Sequence, residues 1–207
     1  MHCEPTIVFS FFSRSADVKP GHGAGESSGG ERFSELAAMR NWRQTLSNFH
    51  ITDEPFQCFG HSWWSVEHAF HAQKFRAHPE FYRLFTAESE SDICKSAVAA
   101  KTAGGKSGKV GGKLYRPKHV VMDAGFYDKL HDEVMHAAQE ARFRQDERSR
   151  AVLLATGQAT LMHSRRGDSP IFFRFLCELR TRLRQEEAVS ADASANTGSA
   201  SASGSGL

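Results

Sequence analysis

Ser65-Val66-Glu67-His68-Ala69-Phe70-His71-Ala72-Gln73-Lys74-Phe75 follows two tryptophans, Trp63 and Trp64, and its spacing predicts a short helix. At about 100° per residue, Glu67 and Lys74 fall about 20° apart around the axis, with His71 between them in height and about 40° from Glu67. Val66, Phe70 and Ala77 share a neighbouring apolar face that would hold the helix against a core. The other face presents a carboxylate, an imidazole and an ammonium beside two indoles. That is a floor suited to a polar ligand with flat rings.

Upstream of this helix, Gln57-Cys58-Phe59, Gly60-His61 and Ser62-Trp63-Trp64 read as a tight turn between two short extended pieces. Thr6 to Phe12 is apolar and β-prone, and is expected to form one buried strand. Residues 19–31, rich in Gly and Ser, are expected to be a flexible loop, because they offer too little apolar surface to offset the entropy of ordering. Downstream, helices are expected over 65–77, 79–86 and 91–101. Pro79 suits a first helical position, and Ser89-Glu90-Ser91-Asp92 resembles a capping pattern. A glycine-rich loop, 104–112, ends that run. Phe126 to Phe143 carries Leu130, Val134, Ala137, Ala138 and Ala141 at helical spacing, the strongest periodic signal in the chain. A further helix is expected over 147–155. A last one would begin near Ser169-Pro170, with Phe172, Phe175, Leu176, Leu179 and Leu183 as its inner stripe. This divides the chain into one domain, 1–187, and a disordered Ala/Ser/Gly tail, 188–207.

A length of 207 residues with 40% hydrophobic content suits a single core. Lys+Arg 26 against Asp+Glu 24 gives +2, so bulk charge asks for neither nucleic acid nor membrane, while local basic patches remain open. Cys3, Cys58, Cys94 and Cys177 are scattered without a C-x-x-C pair, which argues against a disulfide framework and fits a reducing compartment. The run Ile7-Val8-Phe9 with Phe11-Phe12 is too short for a signal segment or a membrane span. The expectation is a soluble cytoplasmic protein, with the nucleus left open.

Three motifs reduce to plain readings. Ala100-Lys101-Thr102-Ala103-Gly104-Gly105-Lys106-Ser107 satisfies a relaxed phosphate-loop pattern, but a helix-like segment precedes it and no helix follows, so it reads as a basic connector. His68 and His71 stand at i and i+3 after Glu67, unlike the H-E-x-x-H zinc order, and no metal or cofactor is expected. Arg165-Arg166 reads as an exposed basic turn. On an extended piece, Trp63 and Trp64 point to opposite sides, so one of the two is expected to face a ligand.

Leu46-Ser47-Asn48-Phe49, Pro55-Phe56, the stretch from Phe59 to Phe75 and Ala100-Lys101 together resemble the NADAR superfamily, the YbiA-like proteins. Their signature runs close to S-N-F, then D/G-G-x-x-W-x-S/T-x-E-H-x-x-Q-x-x-K-F. Val134-Met135, Arg142-Phe143-Arg144-Gln145 and Leu153-Leu154-Ala155-Thr156-Gly157 are similar to the family's V-M, K-F-x-Q and L-L-x-T-G. The resemblance spans roughly residues 7 to 183. Where members carry W-x-x-x-K-x-x-V-M, this chain has Tyr127 and His131, and the family's motif Gln is His71. A glycine-rich segment common before the last helix is missing around Leu161 to Asp168.

The resemblance implies an α+β, predominantly helical fold with a few short strands, and cleavage of an N-glycosidic bond. The bond would join ribose to a base, in a phosphoribosylamino-pyrimidine of riboflavin synthesis or in ADP-ribosyl-guanine. It places the motif glutamate at Glu67, the expected catalytic carboxylate, and the motif lysine at Lys74. Lys74 and Lys101 have the charge to hold a phosphate. Phe49, Tyr127 and Trp63 or Trp64 can stack a base, and Asn48 can bond its edge. Two roles stay open for His71: protonating the leaving nitrogen, since its unperturbed pKa lies near neutrality, or simply replacing the motif Gln. Partners would be a nucleotide-like small molecule or ADP-ribosylated nucleic acid. Two rivals stand beside this reading: a non-catalytic ADP-ribose-binding module, and a nucleic-acid module using Lys101, Lys106, Lys109 and Lys113.

Overall fold

The computed structural model describes residues 3–165 and 168–199. In chain order the elements are β1 (Glu4–Phe11), β2 (Ser27–Ser28), α1 (Ser34–Ala38), α2 (Trp42–Leu46), β3 (Phe56–Cys58) and β4 (His61–Trp63). Then come α3 (Val66–Ala72, continued by a 3-10 turn, Gln73–Phe75), α4 (Pro79–Arg83), α5 (Ala97–Ala103), β5 (Lys109–Val110) and β6 (Lys113–Leu114). The rest is α6 (His131–Gln145, entered through a π turn, Phe126–Leu130), α7 (Glu147–Ala155), β7 (Ala159–Arg165), β8 (Asp168–Phe172) and α8 (Arg174–Ser199). The fold is α+β and mostly helical, as expected.

Ile7, Phe9 and Phe11 alternate along β1, so a period of two turns all three inward. The sheet runs β2-β1-β7-β8, with β1 parallel to β7 (Phe9 opposite Leu161) and antiparallel neighbours on either side. Its inner face packs with Trp42, Leu46, Leu153, Leu176, Leu179 and Leu183 into one core. A second core gathers Trp63, Val66, Ala69, Phe75, Phe85 and Ala100. Helix α6 joins the two, with Phe143 in the first and Ala138 in the second. Between β3 and β4 the chain reverses through Phe59 and Gly60, both at positive φ (53 and 75°), a two-residue turn whose twist suits a hairpin. Among the described residues no helix is long and apolar enough to cross a membrane.

Four expectations need correction. The helix expected from 91 begins at Ala97, because Ser96, not the Ser89–Asp92 group, accepts the Ala99 amide as N-cap. The last helix starts at Arg174, not near Ser169-Pro170. Residues 168–172 instead form β8 at the sheet edge, where Pro170 costs little. The 19–31 loop is tied down: Glu26, with a fully buried side chain, pairs with Arg43 at 2.5 Å and accepts the Ser10 amide. Arg43 also donates to the Val18 and Lys19 carbonyls. Residues 188–199, expected to be unstructured, continue α8 with exposed side chains at 188–193. Their Ala and Ser content is compatible with helix, and Leu183 upstream anchors it. Residues 200–207 of that tail lie outside the described residues.

Candidate functional site

Ser65 sets the start of α3. Its backbone is extended (φ −156°, ψ 162°), and its Oγ accepts the His68 amide and lies 2.8 Å from His68 Nδ1. The other ring nitrogen, Nε2, sits 3.2 Å from the Ile93 carbonyl. A carbonyl only accepts, so Nε2 carries the proton and Nδ1 accepts from the serine hydroxyl. His68 is therefore a core histidine, held neutral by burial, which lowers its pKa to about 4.

One turn along the opposite face, Glu67 Oε1 lies 3.1 Å from His71 Nε2, and its side chain is only 8% exposed. His71 Nδ1 is buried with no hydrogen-bond partner. Gly104, at the end of α5, closes over it: a Cβ there would stand 2.3 Å from Nδ1. The neutral tautomer is thus fixed, with Nε2–H donating to the carboxylate. Burial pushes the His71 pKa down despite the neighbouring Glu67 charge. His71 holds Glu67 in place through Nε2–H, and its Nδ1 is enclosed, an arrangement that suits replacement of the motif Gln better than donation to a leaving nitrogen.

From the solvent side, Lys101 Nζ approaches Glu67 Oε1 to 3.9 Å and lies 5.0 Å from the Phe49 ring centroid. Its side chain is 62% exposed. Glu67, His71, Lys101 and Phe49 are brought together as expected. Asn48 is beside them but committed to the protein. Its carbonyl accepts the Glu67 amide at 3.0 Å, its Oδ1 accepts from Gln139 Nε2 at 2.9 Å, and its Nδ2 meets Met135 Sδ at 3.2 Å. Arg142, fully buried, donates to the Ser47 carbonyl at 2.6 Å. So α6 clamps the Ser47–Phe49 loop against the start of α3. Sequence reasoning missed Gln139, Arg142 and Gly104. The signal for the first two was a Gln and an Arg inside an otherwise apolar helical stripe; Gly104 carried none, because His71 is its neighbour only in space.

Lys74 goes elsewhere. It sits in the 3-10 turn, Gln73–Phe75, that continues α3. Its ammonium donates to the Tyr127 hydroxyl at 2.9 Å and sits 4.7 Å from the Phe70 ring centroid and 5.1 Å from that of Tyr127. Burial lowers its pKa, and the Tyr127 bond opposes that fall. Tyr127 itself is half exposed and stacks on His131, with ring centroids 5.6 Å apart. Lys74 and Tyr127 thus form a second cluster next to Phe70.

Trp63 is removed from the site. It is fully buried, donates Nε1–H to the Cys58 carbonyl and packs edge-on to Tyr82. Trp64, on the other side of the strand, is half-buried. Arg166 of the basic turn lies outside the described residues. Among the described residues no group of three or more His, Cys, Asp or Glu can hold a metal. A cleft of about 480 Å3 opens between Asp53–Phe56 and Gln145–Ala151, and one of about 270 Å3 lies beside Met39 and Val152; neither is lined by the predicted residues.

No protein-family model matches the chain, and no curated protein matches it. One solved structure is similar, the solution NMR structure of E. coli YbiA, at 21% identity and a TM-score of 0.49. The match covers 92% of this chain and 90% of that one.

Proposed function

We propose that this chain is an N-glycosidase that hydrolyses the bond between ribose and the nitrogen of a base. The observation that carries this reading is the Glu67 carboxylate: nearly buried, held by His71 at 3.1 Å and approached by the exposed Lys101 ammonium at 3.9 Å. Departure of the base leaves positive charge on the anomeric carbon and ring oxygen. A fixed carboxylate in a partly dry site stabilises that charge, takes a proton from the attacking water and passes it on to the nitrogen of the departing base, so the ribose gains the hydroxyl and the base leaves with the proton. Lys101, long and exposed, changes rotamer within nanoseconds, so it can leave Glu67 and take up a substrate phosphate. Phe49 then offers a ring face to the base. Lys74, packed among Phe70 and Tyr127, supports the Tyr127 wall and does not reach out to a phosphate.

The test uses a phosphoribosylamino-uracil and ADP-ribosylated guanine in DNA, with sugar release followed by mass spectrometry. Release from either, lost by about 10²–10⁴-fold in Glu67→Gln with melting unchanged, is the expected outcome. A folded wild-type protein that releases sugar from neither refutes the reading. A second reading, a non-catalytic binder of ADP-ribose, is favoured by the near-complete burial of Glu67. Calorimetric binding of ADP-ribose by an inert wild-type protein selects it.

A further inference from the structure

Between Asp92 and Asp123 the chain has no acidic residue, yet it carries Lys95, Lys101, Lys106, Lys109, Lys113, Arg116 and Lys118. Seven positive charges in this segment stand against a net +2 for the whole molecule. The fold projects them from one structure. Helix α5 delivers Lys101, and the β5–β6 hairpin packed on it presents Lys109 and Lys113, with Lys106 and Lys118 exposed at its base. The hairpin is braced. The Gly108 carbonyl accepts the Tyr115 and Arg116 amides at 3.0 and 3.1 Å, Arg116 donates to the Lys106 carbonyl at 2.8 Å, and its guanidinium lies 5.5 Å from the Phe75 ring centroid. Gly108 is required there, at φ +60° with a Cβ position 2.7 Å from the Arg116 Cβ. Among the described residues no carboxylate lies within 4.0 Å of the ammonium groups of Lys106, Lys109, Lys113 or Lys118, whereas Lys95 is matched by Asp92 at 2.5 Å.

We propose that the β5–β6 hairpin and its flanks form a docking surface for the phosphodiester backbone of a single-stranded nucleic acid. Four ammonium groups without a carboxylate within 4.0 Å, on the hairpin and its flanks, with Lys113 resting 4.6 Å from the Tyr115 ring centroid, suit a linear polyanion, which repays each neutralised phosphate by releasing a counterion. Helix α5, which packs against β5, carries Lys101 at 3.9 Å from Glu67, so a strand bound along both would pass the candidate site. That last clause rests on the glycosidase reading, while the binding surface rests on charge placement alone. An anionic membrane would ask for a broad apolar face beside the lysines, and Leu114 is the one large apolar side chain described as exposed on the hairpin.

Fluorescence anisotropy with labelled, unmodified oligonucleotides of about 20 nucleotides, in DNA and RNA forms, tests this at about 50 and about 200 mM salt. Binding that weakens steeply with salt is expected. The triple variant Lys106→Gln, Lys109→Gln, Lys113→Gln, with unchanged melting, should lower the magnitude of the log–log salt slope by about 2, at roughly 0.7 per phosphate for a single strand. Equal binding of DNA and RNA assigns the shared backbone, and a preference identifies the natural strand. No binding at low salt, binding indifferent to the triple variant, or capture of phosphatidylserine vesicles without the oligonucleotide overturns the proposal. Because the probe carries no ribosylated base, a negative glycosidase assay leaves this result untouched, and a negative binding result leaves the glycosidase assay untouched.

Discussion

Gly104 decides whether Glu67 is held. It touches no ligand, yet any larger residue would drive a methyl into the His71 ring at 2.3 Å and push the imidazole off the carboxylate. Gly104→Ala is expected to cost about 1–3 kcal/mol by overpacking, read as a lower urea midpoint. If Glu67 works as proposed, the same variant should also lower kcat, since a carboxylate free to rotate loses its orientation. Glu67 and His71 were legible because they stand four residues apart on one helix. The closing role of Gly104 was not, because a glycine-rich stretch reads as a connector until its neighbours in space are known. Which tryptophan meets the core was left open for a related reason: alternation on a strand says that two neighbours diverge, not that Trp63 is the buried one.

At the scale of elements, two anchors hold the segments that carry the site. Ser65 caps α3 and binds His68, so Ser65→Ala removes a cap and leaves a buried ring nitrogen without a partner. About 1–2 kcal/mol should be lost, measured by denaturant unfolding. Glu26 and Arg43 pin the 19–31 loop to α2, and breaking a buried pair by Glu26→Gln should cost about 3–5 kcal/mol, with faster limited proteolysis inside the loop. The strongly periodic elements, α3, α6 and α7, were readable from their apolar spacing. The short helices α1 and α2 were not, since five residues are too few to show a period, and only Leu36, Trp42 and Leu46 mark their inner sides. β7 carried a signal that was passed over: Gly157 at φ +63° ends α7, and Ala159 and Leu161 alternate after it.

For the molecule as a whole, buried histidines set the response to acid. Burial is the leading cause that lowers the pKa of His50 and of His68 to about 4, and it lowers that of His71 as well. In the unfolded chain each titrates near 6.5. Below that value the unfolded state takes up protons that the folded state refuses. The stability these groups contribute is therefore complete above about pH 6.5 and lost as the pH falls towards about 4. His68 alone is expected to account for on the order of 3 kcal/mol across that window. Urea midpoints at pH 7.5, 5.5 and 4.5 should fall in that order, and His68→Gln, which keeps a donor for the Ile93 carbonyl, should flatten the decline.

The pairing of β1 with β7 brings Phe9 beside Leu161, with most of the polypeptide between them. On a ribosome adding roughly 5–20 residues per second, the first-made strand waits on the order of ten seconds for its mate. Throughout that interval Ile7, Phe9 and Phe11 have no finished sheet to join. The nascent chain is at its most adhesive during translation, before the partner strand emerges, and chaperone demand should peak there.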